Sequence, residues 1–287
     1  APVASKITSK RLVIVADGDL QYIPFAALPV PNTSTAKVKQ DFTYLIAKHE
    51  ILYEPSASAL GLLRQHPPGK ATRTVAVIAD PVFSKGDERV KNGPPSDKAD
   101  RASSLEDVQL RQIFRGSGDT ANNTLVRLRY SRVEAEAIKA AAPPGSFMEA
   151  LDFDANRDTV LSDQLKQFRI IHLATHGIVN ASHPELSALV FSLVNKDGQS
   201  RPGFLSLNDI YNLNLGADLV VLSACETGIG KELRSEGLLG LTRGFMYAGA
   251  ERVVATLWKV NDVATSELMK GFYTYMLSEG KPPSVAL

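Results

Sequence analysis

Cysteine is almost absent from this chain: of 287 residues only Cys225 carries a thiol. That excludes an intramolecular disulfide framework and suits a reducing compartment, so a cytoplasmic location is expected. Long apolar runs are missing too. None approaches the roughly 20 residues of a membrane-spanning helix, and the N-terminus shows no secretory hydrophobic segment. Neither sign of charge is in excess. The 32 Lys and Arg against 31 Asp and Glu leave a net charge of +1, which gives no general attraction to nucleic acid or to an anionic membrane. No internal repeat is evident. What the chain does have is 44% hydrophobic content, enough at this length to bury a sizeable core as one large α/β domain or two fused subdomains.

The informative part lies between residues 170 and 230. One apolar run, Ile170-Ile171-His172-Leu173-Ala174-Thr175-His176-Gly177, is answered by a second, Leu219-Val220-Val221-Leu222-Ser223-Ala224-Cys225-Glu226-Thr227-Gly228. Short continuous apolar runs bounded by Gly read as parallel strands covered on both faces, and open parallel sheets hold their sites at the carboxyl ends of such strands. His176 and Cys225 are therefore expected side by side on one rim. A free thiol has a pKa of about 8.5, and a neighbouring imidazole raises its reactive fraction or takes its proton during attack. Gly177 lets backbone approach a bound carbonyl, so its N–H and that of Cys225 are candidates for an oxyanion hole.

Other patterns carry less. His172 and His176 fall on one side of a strand as a metal pair would, but no third ligand has a recognisable spacing, so no metal is expected and His172 reads as a structural residue beneath the pair. Gly228-Ile229-Gly230-Lys231 fails as a phosphate loop, because residue 225 is not glycine and Glu232 stands where Ser or Thr is required. By strand alternation Glu226 points away from the thiol.

Along the rest of the chain, Leu12 to Val15 and Leu20 to Ile23 around Asp17-Gly18-Asp19 predict a hairpin. Tyr44 to Tyr53 reads as a helical or extended return, 57–65 as a helix, and Val75 to Ala79 as a buried strand closed by Asp80-Pro81. Residues 84–123, rich in Lys, Asp, Gly, Ser and Pro, predict a long surface excursion. Ser131 to Ala142 is expected as a helix with Ser131 and Glu134 forming a capping box, and 154–168 as another. Ala188 to Val194 and Gly203 to Leu205 flank Lys196-Asp197-Gly198 as a second hairpin. Further helices are expected over 207–213, 237–248 and 262–277. Glycines 237, 240 and 244 would pack on the sheet, and Leu268, Phe272, Tyr275 and Met276 would face inward.

The motifs His-Leu-Ala-Thr-His-Gly (172–177), Leu-Ser-Ala-Cys-Glu-Thr-Gly (222–228), Ser-Glu-Gly-Leu-Leu-Gly-Leu-Thr-Arg-Gly-Phe (235–245) and Ala-Thr-Leu-Trp-Lys-Val-Asn-Asp (255–262) together resemble the CHAT domain, a caspase-like and separase-like group of cysteine peptidases often found with tetratricopeptide repeats. Weaker matches at 15–29 and 53–60 extend the resemblance over nearly the whole chain. It implies an α/β, caspase-like three-layer fold, with a mainly parallel central sheet, helices on both faces and an N-terminal pseudo-caspase-like region. Residues 1–130 would form the N-terminal part and 131–287 the catalytic part, truncated at its C-terminus. It further implies a cysteine endopeptidase with a His176–Cys225 dyad and no cofactor, acting on a protein or peptide substrate under a regulatory partner or fused sensor module. In separases the segment resembling 257–262 supplies acids that bind a P1 arginine. Here Lys259 replaces one of them and Asp262 matches another, while Asp262 also suits the first turn of a helix. Two alternatives stay open at this point: a non-catalytic interaction scaffold on the same fold, and a small-molecule thiol hydrolase.

Overall fold

The structure, a computed structural model, describes residues 7, 11–30, 43–54, 56, 58, 61, 71–91, 125–179, 183–223, 225–226, 236–256 and 260–287. The expected helix over 57–65 and most of the 84–123 excursion lie outside these residues. The chain divides into two compact units, residues 1–67 with 281–287 and residues 68–280. Residue 130 falls inside the second.

In the first unit, strands β1 (Arg11–Ile14) and β2 (Glu50–Tyr53) pair in parallel, Arg11 opposite Glu50 and Ile14 opposite Tyr53. Arg11 Nε donates to Glu50 Oε2 at 2.7 Å. The expected hairpin at 12–23 does not form. Asp17 instead accepts from the Gly18 N–H and caps a 3-10 helix, Gly18–Tyr22, so the turn chemistry starts a helical turn where a reversal was expected.

The second unit is built on a five-stranded, all-parallel sheet of β3 (Arg73–Pro81), β4 (Phe147–Asp152), β5 (Phe168–Ala174), β9 (Leu219–Leu222) and β11 (Val253–Ala255), in the order β11-β9-β5-β3-β4. The central strands read as uninterrupted Val, Ile, Leu and Ala because they are buried on both faces. Ala76, Ile78, Ile171, Leu173, Val220 and Leu222 belong to a core closed by Ile210 of α3 (Leu207–Tyr211) and by Leu241 and Phe245 of α4 (Glu236–Tyr247). Each fully buried Val, Leu, Ile or Phe side chain contributes roughly 1.5–3 kcal/mol. The opposite face meets α1 (Arg129–Ala141) and α5 (Asp262–Tyr273), which also pack on one another. A short helix α2 (Arg157–Leu161) precedes β5, with Asn156 as its cap and a 3-10 turn, Asp163–Gln167, after it; sequence had merged these into one helix.

Both catalytic-candidate strands leave this sheet before their apolar runs end. Thr175 breaks β5, its buried hydroxyl donating to the Val190 carbonyl. The chain then continues as β6 (His176–Ile178) in a second sheet of order β10-β6-β7-β8, with β7 (Ala188–Val190), β8 (Phe204–Ser206) and β10 (Cys225–Glu226). β7 and β8 are the expected antiparallel hairpin. Gly203 at its base is fixed by lack of space: a Cβ there would sit 2.7 Å from Leu193 Cδ2 and from the Phe191 carbonyl oxygen. Gly203→Ala is accordingly expected to destabilise the protein by about 1–3 kcal/mol, read as a lowered denaturant midpoint at unchanged slope.

Three packing expectations are corrected. Ser131 lies within α1, whose Leu128 cap has no side-chain bond; the Ser131 hydroxyl donates to Leu128 O, and Glu134 turns into the core, so there is no capping box. On α5 the buried face is Thr265, Ser266, Met269, Phe272 and Tyr273; Phe272 faces inward as expected, whereas Leu268 and, just past the helix, Tyr275 are about half exposed. Gly240 and Gly244 face Leu207 and Ile210 of α3, so the close approach is helix to helix. None of the described helices is long and apolar enough to cross a membrane.

Candidate active site

The second sheet brings the two candidate residues together. Cys225 is the register partner of His176 across the parallel β10–β6 pair, and Glu226 of Gly177. Neighbouring strands run about 4.8 Å apart, so the backbone sets the two residues directly side by side. The buried Gly177 occupies the centre of β6, between Glu226 and Leu189.

The His176 ring is buried and held from two sides. It packs on Phe83, ring centroids 5.0 Å apart at 45°, and its Nε2 lies 2.7 Å from the carbonyl oxygen of Val126. A carbonyl only accepts, so Nε2 carries a proton. This second-tier partner was not foreseen, since a main-chain oxygen leaves no motif in a sequence.

The Val126 segment is itself pinned. Arg127 donates from Nε to Asp80 Oδ1 at 2.9 Å and from Nη2 to Oδ2 at 2.7 Å. Arg132 Nε and Arg89 Nη1 also reach the fully buried Asp80 carboxylate, at 2.8 and 3.0 Å. Arg89 and Arg132 both extend to Asp152, and Arg89 to Asp87. Burial pushes the Asp152 and Asp87 carboxyls up, but hydrogen bonds from these arginines outweigh it and hold both below the usual carboxylate range. A lowered folded-state pKa contributes stability that is full above the unfolded value and is lost as pH falls through the folded one. An acid titration is therefore expected to show stability declining below about pH 4, with a shallower decline in Asp152→Asn.

Beneath the pair, on the α1/α5 face, lies a buried polar group. His172 Nδ1 is 3.0 Å from the Tyr273 hydroxyl, and Ser223 Oγ donates to Glu134 Oε2 at 3.1 Å. His172 Nε2 stands 3.0 Å from Glu134 Oε1, without the alignment of a hydrogen bond. Burial and then the Glu134 charge push the Tyr273 hydroxyl well up, so it stays protonated and can donate to Nδ1.

Asp262 begins α5, whose cap is Asn261, and its Oδ2 accepts from the Tyr130 N–H at 3.2 Å, in the first turn of α1. Burial pushes this carboxyl up, against that hydrogen bond, and the Glu134 and Asp80 charges add to the rise. Among the described residues no three His, Cys, Asp or Glu side chains gather as a metal site would need.

Five parallel strands between helices, with a histidine strand beside a cysteine strand at their carboxyl ends, define a caspase-like α/β domain. Residues 1–287 match the CHAT domain, and the chain belongs to that family. Its relatives include tetratricopeptide repeat protein 28 of Mus musculus, 26% identical over 94% of this chain, and that of Homo sapiens, 26% identical over 97%. The chain spans only 11% of the length of either.

Proposed function

We propose that this chain is a cysteine endopeptidase of caspase or separase type that needs no cofactor. The observation that carries the reading is the register of Cys225 on His176, together with the carbonyl that keeps the His176 proton on Nε2. Nδ1 takes the thiol proton as Sγ attacks the scissile carbonyl carbon. The Gly177 and Cys225 amides hold the oxyanion. As the C–N bond breaks, Nδ1 returns its proton to the leaving amine, and water then hydrolyses the thioester with His176 as base. The substrate is a protein effector met in the cytoplasm, and control lies with a partner or a fused sensor module. The tetratricopeptide-repeat relatives, of which this chain matches one short part, support that arrangement.

The test is cleavage of a diverse peptide library, and labelling of Cys225 by a thiol-reactive peptide probe, with candidate partners present. Turnover that disappears on blocking Cys225 supports the peptidase. Neither turnover nor labelling under any activating condition replaces it with the interaction scaffold.

Asp262 is proposed to bind a cationic P1 side chain. Asp262→Asn keeps an acceptor for Tyr130 N–H but loses the charge, so KM for substrates with P1 Arg or Lys is expected to rise about tenfold, with neutral P1 substrates little changed. Equal KM changes in both classes would assign Asp262 to the α1 terminus alone.

A further inference from the structure

Asp80 lies outside the pair and outside every motif that pointed to it, yet three arginines converge on its buried carboxylate. Its side chain is fully buried and its backbone is left-handed, φ +51°, at a register shift in β3 just before Pro81. Asp tolerates that conformation better than most residues, but the strain persists only where the surroundings fix it. Those surroundings converge on one short segment. The carboxylate grips Arg127 through both oxygens and Arg132 through one; the Asp80 N–H donates to Ser131 Oγ at 3.0 Å, which in turn donates to Leu128 O at 2.6 Å. Arg89 closes the far side, donating to the Asp80 carbonyl oxygen at 2.8 Å.

Next to Arg127 is Val126, whose carbonyl holds His176. Apolar burial does not place that residue, since Val126 is 68% exposed; only Leu125 before it packs on Phe83, Ile178, Val190 and Leu193. At the other end of the segment the Tyr130 N–H meets Asp262.

We propose that Asp80 is a positioning residue for His176, acting through Arg127 and Ser131 to fix the Val126 carbonyl that selects the imidazole tautomer. The catalytic consequence rests on the peptidase reading; the tautomer does not. With the carbonyl released, the ring can place its proton on Nδ1, where it cannot take one from a thiol. A two-point grip is needed, because a single ammonium leaves the segment free to swivel.

The experiment reads the ring directly, by 15N NMR of the histidine side chains, with His176 assigned through its loss in His176→Gln. Wild type is expected to show the Nε2–H tautomer. Arg127→Gln leaves Asp80 bonded to Arg89 and Arg132, and is expected to show a tautomer mixture, a displaced pH profile of Cys225 alkylation by iodoacetamide, and kcat lowered about tenfold with KM within about twofold. Arg127→Lys is expected not to restore the wild-type spectrum. Should Arg127→Gln fail to fold, the same readings are taken on Ser131→Ala, which removes only the hydroxyl joining Asp80 to Leu128. A wild-type tautomer and alkylation profile in the folded variants overturn the proposal, as does a mixture in wild type. Absence of peptide turnover in wild type, with the tautomer behaving as expected, overturns the peptidase reading and leaves the positioning role standing.

Discussion

Cys225→Ala is expected to abolish peptide cleavage and His176→Ala to lower kcat by about 10²- to 10⁴-fold, the range that a positioned general base supplies. Structural damage does not account for a loss of that size if the variants keep their cooperative unfolding. The more discriminating reading is chemical. In the wild type the Val126 carbonyl holds a proton on Nε2, and the proposed mechanism passes the thiol proton to Nδ1. Without the ring, alkylation of Cys225 should follow the pH profile of an ordinary thiol, with a midpoint near about 8.5. An unchanged profile in His176→Ala would separate the two residues and refute the dyad, whatever happened to turnover.

Glu134→Ala is expected to cost about 2–4 kcal/mol of stability, the scale for a buried hydroxyl left without its partner plus the cavity of a removed side chain. Glu134 is 3% exposed, and it serves Ser223 with one oxygen and His172 with the other. Its removal strands the Ser223 hydroxyl in the core, with a cavity besides. Tyr273→Phe, which deletes a single hydrogen bond to the same imidazole, should cost only about 1 kcal/mol. The double variant Glu134→Leu with His172→Leu should be less destabilised than the two single costs combined, since no polar atom is then left alone. Denaturant midpoints at constant slope decide this, and a loss in Glu134→Ala below about 1 kcal/mol would show that water already reaches the network.

The sheet and the neighbourhood of His176 and Cys225 were legible because both rest on short-range pattern. Uninterrupted apolar runs ending at Gly specify doubly covered parallel strands, and those strands end where the motifs stand. What was not legible depends on partners distant in sequence. Asp17-Gly18 is equally good chemistry for a hairpin and for a capped 3-10 turn, and only the pairing of β1 with β2 decides. Phe272 was legible as inward-facing, but Leu268 and Tyr275 are as apolar as the residues that are buried, and it is α1 that selects among them. Glu134 looked like half of a capping box because its spacing from Ser131 is right, but the helix begins two residues earlier, which turns that side chain toward His172. Asp80 read as a strand terminator, since its three arginines lie 9, 47 and 52 residues away.

The break at Thr175 has a bearing on how such a domain can change its length. The last pairing of β5 with β9 is Leu173 with Leu222, and β6 meets β10 at His176 with Cys225, so on each segment the chain advances three residues from one pairing to the next. Cys225 falls opposite His176 because two intervals agree, irrespective of which residues fill them. One residue inserted into either interval alone would swap Cys225 for its neighbour and turn the opposing side chain to the other surface. One residue added to both would cancel. Substitutions between the sheets should therefore be tolerated more readily than unmatched insertions or deletions.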